Sequence, residues 1–257
     1  MFASPGPVAF HIGPLAIRWY GLLIATAVLL GTAIAYREAR RRGEDPDRFL
    51  DVVTIALIGA LVGSRLYYVA FNWDYYSQNL WKVLAIWEGG LAIHGGILGG
   101  IIGGGLYARK KGLNTKKYMD IVAPSLVLGQ AIGRWGNFFN QEAFGIPTDL
   151  PWKLFVESAY RPPHLASYEY FHPTFLYESL WDFFVFLLLF LALRKPMEDR
   201  PGALFLSYLG LYSFGRFFIE GLRVDSLMLG GLRVAQVVSV VLLLGALGGL
   251  IWIYSKK

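Results

Sequence analysis

Arg134 and Arg216 are the residues of this sequence that most clearly call for an anion. Each lies in a long apolar stretch, and each has a carboxylate not far along the chain: Glu142 after Arg134, and Glu220 four residues beyond Arg216. A guanidinium is a rigid, weakly hydrated fork that matches phosphate oxygens, so two of them on facing helices make a natural anion clamp. The neighbouring acids would keep such a clamp from carrying unpaired charge when empty. Periodicity supports shared faces. Tyr212, Arg216 and Glu220 recur at i, i+4 and i+8 with Arg223 close behind, and Gln130, Arg134 and Asn137 follow the same helical spacing. Around Arg134 the segment GRWGNFFNQEAFG, residues 133–145, gathers two Asn, a Gln and a Glu directly after the apolar run IVAPSLVLGQAIG. Buried Arg–Glu pairs can also serve only to tie helices together, and pairing by itself leaves both readings open.

His94 is the side chain best placed to take a proton near neutral pH, and glycines on its C-terminal side leave space around it. A lone histidine in an apolar helix equally serves as a hydrogen-bonding bridge. Arg65, in GSRLYYV, reads as structural or headgroup-contacting. The glycines of HGGILGGIIGGG repeat every four residues (Gly95, Gly99, Gly103), which is a small-residue packing face first and a surface for close lipid approach second. Glu178 and Asp182 read as partners of a helix dipole, and His172 as the cap of the helix that carries them. The histidines and acids show no metal-ligand spacing, and with no cysteine the chain has no thiolate nucleophile of its own.

The elements that must position these residues are membrane helices. The chain has 257 residues, 55% hydrophobic and 16% charged, far below the charge of an ordinary soluble domain. Stretches of about 20 apolar residues are read as spans, and seven are expected: 15–36, 49–71, 91–108, 118–138, 173–193, 203–222 and 233–254. The fold class is therefore an all-α integral membrane protein, a single polytopic domain over 1–257. Lys and Arg concentrate at 37–48, 109–117, 194–202 and the tail with Lys256 and Lys257, which puts those segments in the cytoplasm, the N-terminus outside and the C-terminus inside. This sorting accounts for the net charge of +6 without nucleic acid. No basic segment followed by an apolar stretch and a small-residue cleavage site opens the chain, so no cleaved signal peptide is expected. Two long outer loops, 72–90 and 139–172, are rich in Trp, Tyr and Phe, and the second is expected to form a small extracytoplasmic cap. With this topology Tyr20, Arg65, His94, Gln130, Arg134, Glu178, Asp182, Arg216 and Glu220 all fall in the outer halves of their spans, which implies one polar cavity at outer-leaflet depth.

These motifs together resemble those of the bacterial prolipoprotein diacylglyceryl transferases. GRWGNFFNQEAFG is similar to the signature GRxGNFxNxExxG of that family. WEGGLAIHGG (87–96), RWYG (18–21), HPTFLYE (172–178) and GRFFIEGLR (215–223) resemble its other recurrent stretches, and the likeness covers essentially the whole chain. What the resemblance implies is transfer of the diacylglyceryl group of phosphatidylglycerol to the lipobox cysteine of a preprolipoprotein signal sequence. The expected setting is the bacterial cytoplasmic (inner) membrane, with the active site facing the outer leaflet. No cofactor is implied, and the implied partners are phosphatidylglycerol, preprolipoproteins and membrane lipids.

Carried over motif by motif, Arg134 would bind the headgroup and Asn137 and Gly145 would shape its site. Glu142, expected to orient Arg134, and Arg223 count with the substrate-binding residues. Arg216, held by Glu220, would neutralise charge growing on the departing phosphate. His94 would be the base for the incoming thiol and Tyr20 its hydrogen-bonding helper. An arginine-stabilised thiolate, with water or product phosphate taking the proton, is the alternative. Two other classes fit less well: a transporter needs polar groups through the inner half as well, and metal-dependent lipid enzymes need acidic clusters that this sequence lacks.

Overall fold

A computed structural model describes residues 1–256; Lys257, read above as part of the basic tail, lies outside the described residues. The long helices are α1 (Trp19–Arg41), α2 (Pro46–Phe71), α4 (Ile93–Lys110), α5 (Thr115–Asn140), α6 (Thr174–Leu187), α7 (Ala203–Glu220) and α8 (Val234–Ser255), with a four-residue α3 (Trp73–Tyr76) after α2. A π-helical segment, Leu188–Leu193, continues α6. Among the described residues, four helices are long and apolar enough to cross a membrane: α1, α2, α6 with its continuation, and α8. Polar residues lower the apolar character of α5 and α7, and α4 is short, glycine-dense and closed by Arg109 and Lys110.

An all-α reading needs one correction. Short strands occupy the non-helical segments. β1 (Phe2–Ala3), β4 (Leu154–Phe155) and β5 (Tyr170–Phe171) form one sheet in the order β1-β4-β5, with β1 parallel and β5 antiparallel to β4. β2 (Val8–Ile12) pairs antiparallel with β3 (Leu15–Arg18), and β6 (Met228–Leu229) with β7 (Leu232–Arg233). Strands of two to five residues carry too little alternation to stand out beside long apolar helices.

The chain divides into two compact units. Residues 36–118 form one, built on α2 against α4. The repeated glycines are its contact surface: a Cβ on Gly99 would strike the carbonyl oxygen of Gly59, and one on Gly63 would strike that of Gly95. Small residues let the backbones touch, which favours the packing reading of the HGGILGGIIGGG stretch. Arg65 proves structural. Its guanidinium donates to the carbonyls of Lys82 (2.5 Å), Val83 (2.9 Å), Gly89 (2.6 Å) and Gly90 (2.9 Å), and lies over the Tyr76 ring. One side chain thus ties together the backbone carbonyls of an irregular loop.

The other unit joins residues 1–35 to 119–256. Its helical core packs Ala123 and Val127 of α5, Val185 of α6, Leu189, and Leu204 and Tyr208 of α7. Asp120 of α5 accepts from the backbone N–H groups of Gly202 (2.7 Å) and Phe205 (2.8 Å), satisfying donors that the first turn of α7 leaves open. A second, aromatic core of Phe138, Phe144, Leu154, Val156, Phe171 and Phe175 fastens the strands of the 139–172 segment to the ends of α5 and α6. This second core fixes the segment on which the site depends.

Candidate functional site

The site grows from three helices. Gln130 Oε1 on α5 accepts from the Tyr208 hydroxyl of α7 at 3.1 Å, and one turn further Arg134 Nη2 donates to the Tyr212 hydroxyl at 3.5 Å. Both rungs advance by four residues in the same sense, so α5 and α7 run parallel here. The next turn of α7 brings up Arg216. α6 is held against α5 by Trp135 Nε1 donating to Ser179 Oγ (3.2 Å), and by that hydroxyl donating to Ala131 O (2.9 Å). It is held against α7 by Trp181 Nε1, which donates to Leu211 O at 2.9 Å while its indole lies over Gly215. A Cβ at Gly215 would occupy the indole's place.

These contacts place Glu178 of α6 between the two arginines. Its Oε1 lies 2.5 Å from Arg134 Nη2, and its Oε1 and Oε2 accept from Arg216 Nη1 at 3.0 and 2.9 Å. Arg216 Nη2 then donates to Glu220 Oε2 at 2.5 Å. Arg223 lies 3.8 Å from the same Glu220 oxygen and is held by Asp225 at 2.7 and 2.9 Å. The chain of charges alternates and balances, with Arg134, Arg216 and Arg223 against Glu178, Glu220 and Asp225. The Glu178 and Glu220 side chains are 3% exposed, whereas Arg134 keeps 20% and Arg216 14%, so access to the cluster is on the cationic side. Arg134 engages only Nη2, leaving Nε and Nη1 without hydrogen bonds among the described residues. That is a free donor edge on a half-buried, charge-balanced arginine.

Several sequence expectations are corrected here. Glu142 does not face Arg134; its Oε1 accepts from Asn137 Nδ2 (2.9 Å) and Asn140 Nδ2 (3.2 Å). It follows a turn in which Gln141 and Ala143 adopt left-handed backbone (φ 53° and 58°), so the helical spacing from Arg134 does not continue to Glu142. Glu178 is no dipole partner but the bridge between the arginines. Asp182 stands in the third turn of α6, beyond the reach of its dipole, fully buried and with neither oxygen hydrogen-bonded among the described residues. His172 makes no cap either. Pro173 is the N-cap residue of α6, and His172 Nδ1 faces the Tyr177 hydroxyl at 3.1 Å.

Gly145 sits in a crossing too tight for a side chain: a Cβ would lie 2.7 Å from His172 Cβ and 3.2 Å from Leu222 O. It bridges Arg223 in antiparallel fashion, joining the turn after α5 to the end of α7. Tyr20, in the first turn of α1, lays its ring over Gly136 of α5. His94 is the second residue of α4, exposed, with its ring centroid 6.1 Å from that of Tyr67; it belongs to the 36–118 unit. Sequence reasoning passed over the bridging role of Glu178, although Glu178 closes the quoted stretch HPTFLYE. It also missed Tyr208, whose place four residues before Tyr212 was the available signal.

Comparison with known proteins bears on this arrangement. Residues 7–252 match the family model described as prolipoprotein diacylglyceryl transferase. The chain is 54% identical over 261 residues to the phosphatidylglycerol–prolipoprotein diacylglyceryl transferase of Trichormus variabilis (strain ATCC 29413 / PCC 7937), a match covering 100% of this chain and 93% of that protein. It is 55% identical over 260 residues to the protein of the same name from Synechococcus elongatus, covering 100% and 90%. The corresponding protein of Gloeobacter violaceus is 51% identical over 258 residues, covering 100% and 95%.

Proposed function

The chain belongs to the prolipoprotein diacylglyceryl transferase family, and on that premise we propose that it moves the diacylglyceryl group of phosphatidylglycerol to the sulfhydryl of the lipobox cysteine of preprolipoproteins. The cysteine sulfur forms a bond to the terminal glycerol carbon of the diacylglyceryl group, and the carbon–oxygen bond to phosphate breaks. A thioether and glycerol phosphate result.

The observation that carries this reading is the pair of arginines sharing Glu178. Arg134, with its free Nε and Nη1, receives the phosphodiester oxygens, and Asn137 and Gly145 give the site its shape. Arg216, fixed by Glu178 and Glu220, meets the charge that builds on the departing phosphate; held in place beforehand, it needs no reorganisation as the reaction proceeds. Arg223 extends the positive edge. His94 is the base we assign to the thiol proton and Tyr20 a hydrogen-bonding residue of the site, both on the motif resemblance alone; a thiol with a pKa of about 8.5 gains from a base at neutral pH. Glu142, turned away from Arg134, is reassigned below.

The topology that goes with this function has seven spans, the three less apolar helices α4, α5 and α7 included. The N-terminus is outside and the C-terminus in the cytoplasm. Its support is the concentration of Lys and Arg in alternate loops. The site then faces the outer leaflet of the cytoplasmic membrane, where the phosphatidylglycerol headgroup lies. Arg134→Ala tests the assignment. In protein that still inserts and folds, it is expected to abolish transfer to a lipobox peptide, and retained transfer would overturn the role given to Arg134.

A further inference from the structure

Glu142 sits in the left-handed turn that follows α5. Gln141 is locked by two bonds to Glu157, Nε2 to Oε1 at 2.8 Å and Oε1 from the backbone N–H at 2.7 Å, and the Ala143 carbonyl accepts from Thr174 Oγ1. The backbone conformation between them is disfavoured for residues with a Cβ, yet it is held from both sides. Its result is to set Glu142 into the wall of an open cleft of about 440 Å³ that Arg18, Asn140, Tyr160, Pro162 and Asp225 also line.

The charges of this cleft are unusual. Glu142 is hydrogen-bonded only by the neutral amides of Asn137 and Asn140. Arg18, at the end of β3, is exposed and has no ion-pair partner among the described residues. The two line the same cleft without pairing with each other, while Asp225 is already engaged by Arg223. A phosphate would gain Arg18 but would face the carboxylates of Glu142 and Asp225. A polypeptide backbone suits both walls, because its carbonyls accept from a guanidinium and its N–H groups donate to a carboxylate. Tyr160 and Pro162 add an apolar surface for a side chain.

We propose that this cleft receives the stretch of the prolipoprotein chain that continues beyond the acceptor cysteine. The inference rests on the transferase reading and adds to it a polypeptide subsite, separate from the arginine cluster, in which Arg18 and Glu142 hold the backbone of the substrate.

The absence of cysteine from the chain makes the test clean. Tyr160→Cys, and Leu247→Cys on α8 as a control, are mixed under mild oxidation with lipobox peptides whose acceptor cysteine is serine and whose single cysteine lies further along. Disulfide trapping is read by intact mass. Tyr160→Cys is expected to trap the peptide at least about tenfold faster than the control, and unlabelled lipobox peptide, but not phosphatidylglycerol, should suppress it. Trapping no faster than the control overturns the proposal, and so does suppression by phosphatidylglycerol alone, which would make the cleft a lipid subsite. In parallel, Arg18→Ala is expected to raise the KM for peptide about tenfold with the KM for phosphatidylglycerol unchanged; an unchanged peptide KM overturns it. Trapping needs no transfer. If the Tyr160→Cys variant traps peptide while the wild-type protein transfers nothing, the assigned reaction is contradicted; if the wild type transfers while the Tyr160→Cys variant traps no faster than the control, the cleft is contradicted.

Discussion

The carboxylate of Glu178 lies between two guanidiniums, 2.5 Å from Arg134 and 2.9 Å from Arg216. Removing one member of such a buried set leaves charge uncompensated, which typically costs about 3–5 kcal/mol. Glu178→Gln is therefore expected to lower stability by an amount of that order, read as a fall in the unfolding midpoint in detergent. Combining it with Arg134→Gln should restore part of the loss, because one uncompensated cation disappears. An unchanged midpoint in the single variant would mean that Glu178 does not hold the pair.

Gly145 has no room for a methyl group. Gly145→Ala would place a Cβ 2.7 Å from His172 Cβ and 3.0 Å from Thr174 Cγ2, so both must move. Overpacking of this kind costs roughly 1–3 kcal/mol. Its effect on transfer should exceed that of an alanine at Gly105, which would meet nothing. Thermal unfolding and turnover of the two variants, measured side by side, check this.

The contact between α2 and α4 makes a similar demand in the other unit. Gly99→Val would drive a branched side chain into the Gly59 backbone and should separate the helices. Poor yield of folded protein is the expected outcome. Gly105→Val, on an open face, should express normally.

His172 gives the fold a defined acid sensitivity. Trp152 Nε1 donates to the Tyr177 hydroxyl at 2.9 Å, which leaves the phenolic proton directed at His172 Nδ1. Burial lowers the pKa of His172 below its ordinary 6.5. Below that pH the unfolded chain binds a proton that the native imidazole does not, so this contribution is complete above pH 6.5 and is lost as pH falls through the folded value. His172→Gln should flatten the acid limb of a plot of unfolding midpoint against pH. An unaltered acid limb would show that His172 does not titrate with folding.

Some of this site can be read directly from residue spacing. The i, i+4, i+8 series Tyr212, Arg216, Glu220 foretells the α7 ladder, because helical spacing alone puts those side chains on one face. The glycine repeat after His94 foretells a close helix contact for the same reason. Glu178 resists such reading: a carboxylate near a helix start looks the same whether it meets a dipole or a distant arginine, and only the packing of α6 on α5 and α7 separates the two. Glu142 was misread for a different cause. Its spacing from Arg134 suggests proximity, but two consecutive-but-one residues in left-handed backbone reverse the chain, and neither Gln141 nor Ala143 advertises that conformation. The strands β1, β4 and β5 escaped because the aromatic core beneath them, and not their own two-residue sequences, sets their pairing.

The most direct test of the central claim is transfer itself. Purified protein in detergent is given phosphatidylglycerol and a lipobox peptide in the presence of EDTA, and peptide mass and free glycerol phosphate are followed together. The account expects the peptide to gain one diacylglyceryl group as glycerol phosphate appears in equal amount, and a peptide with serine in place of the cysteine to stay unchanged. Folded protein that yields neither product, or that releases glycerol phosphate without modifying the peptide, would contradict it.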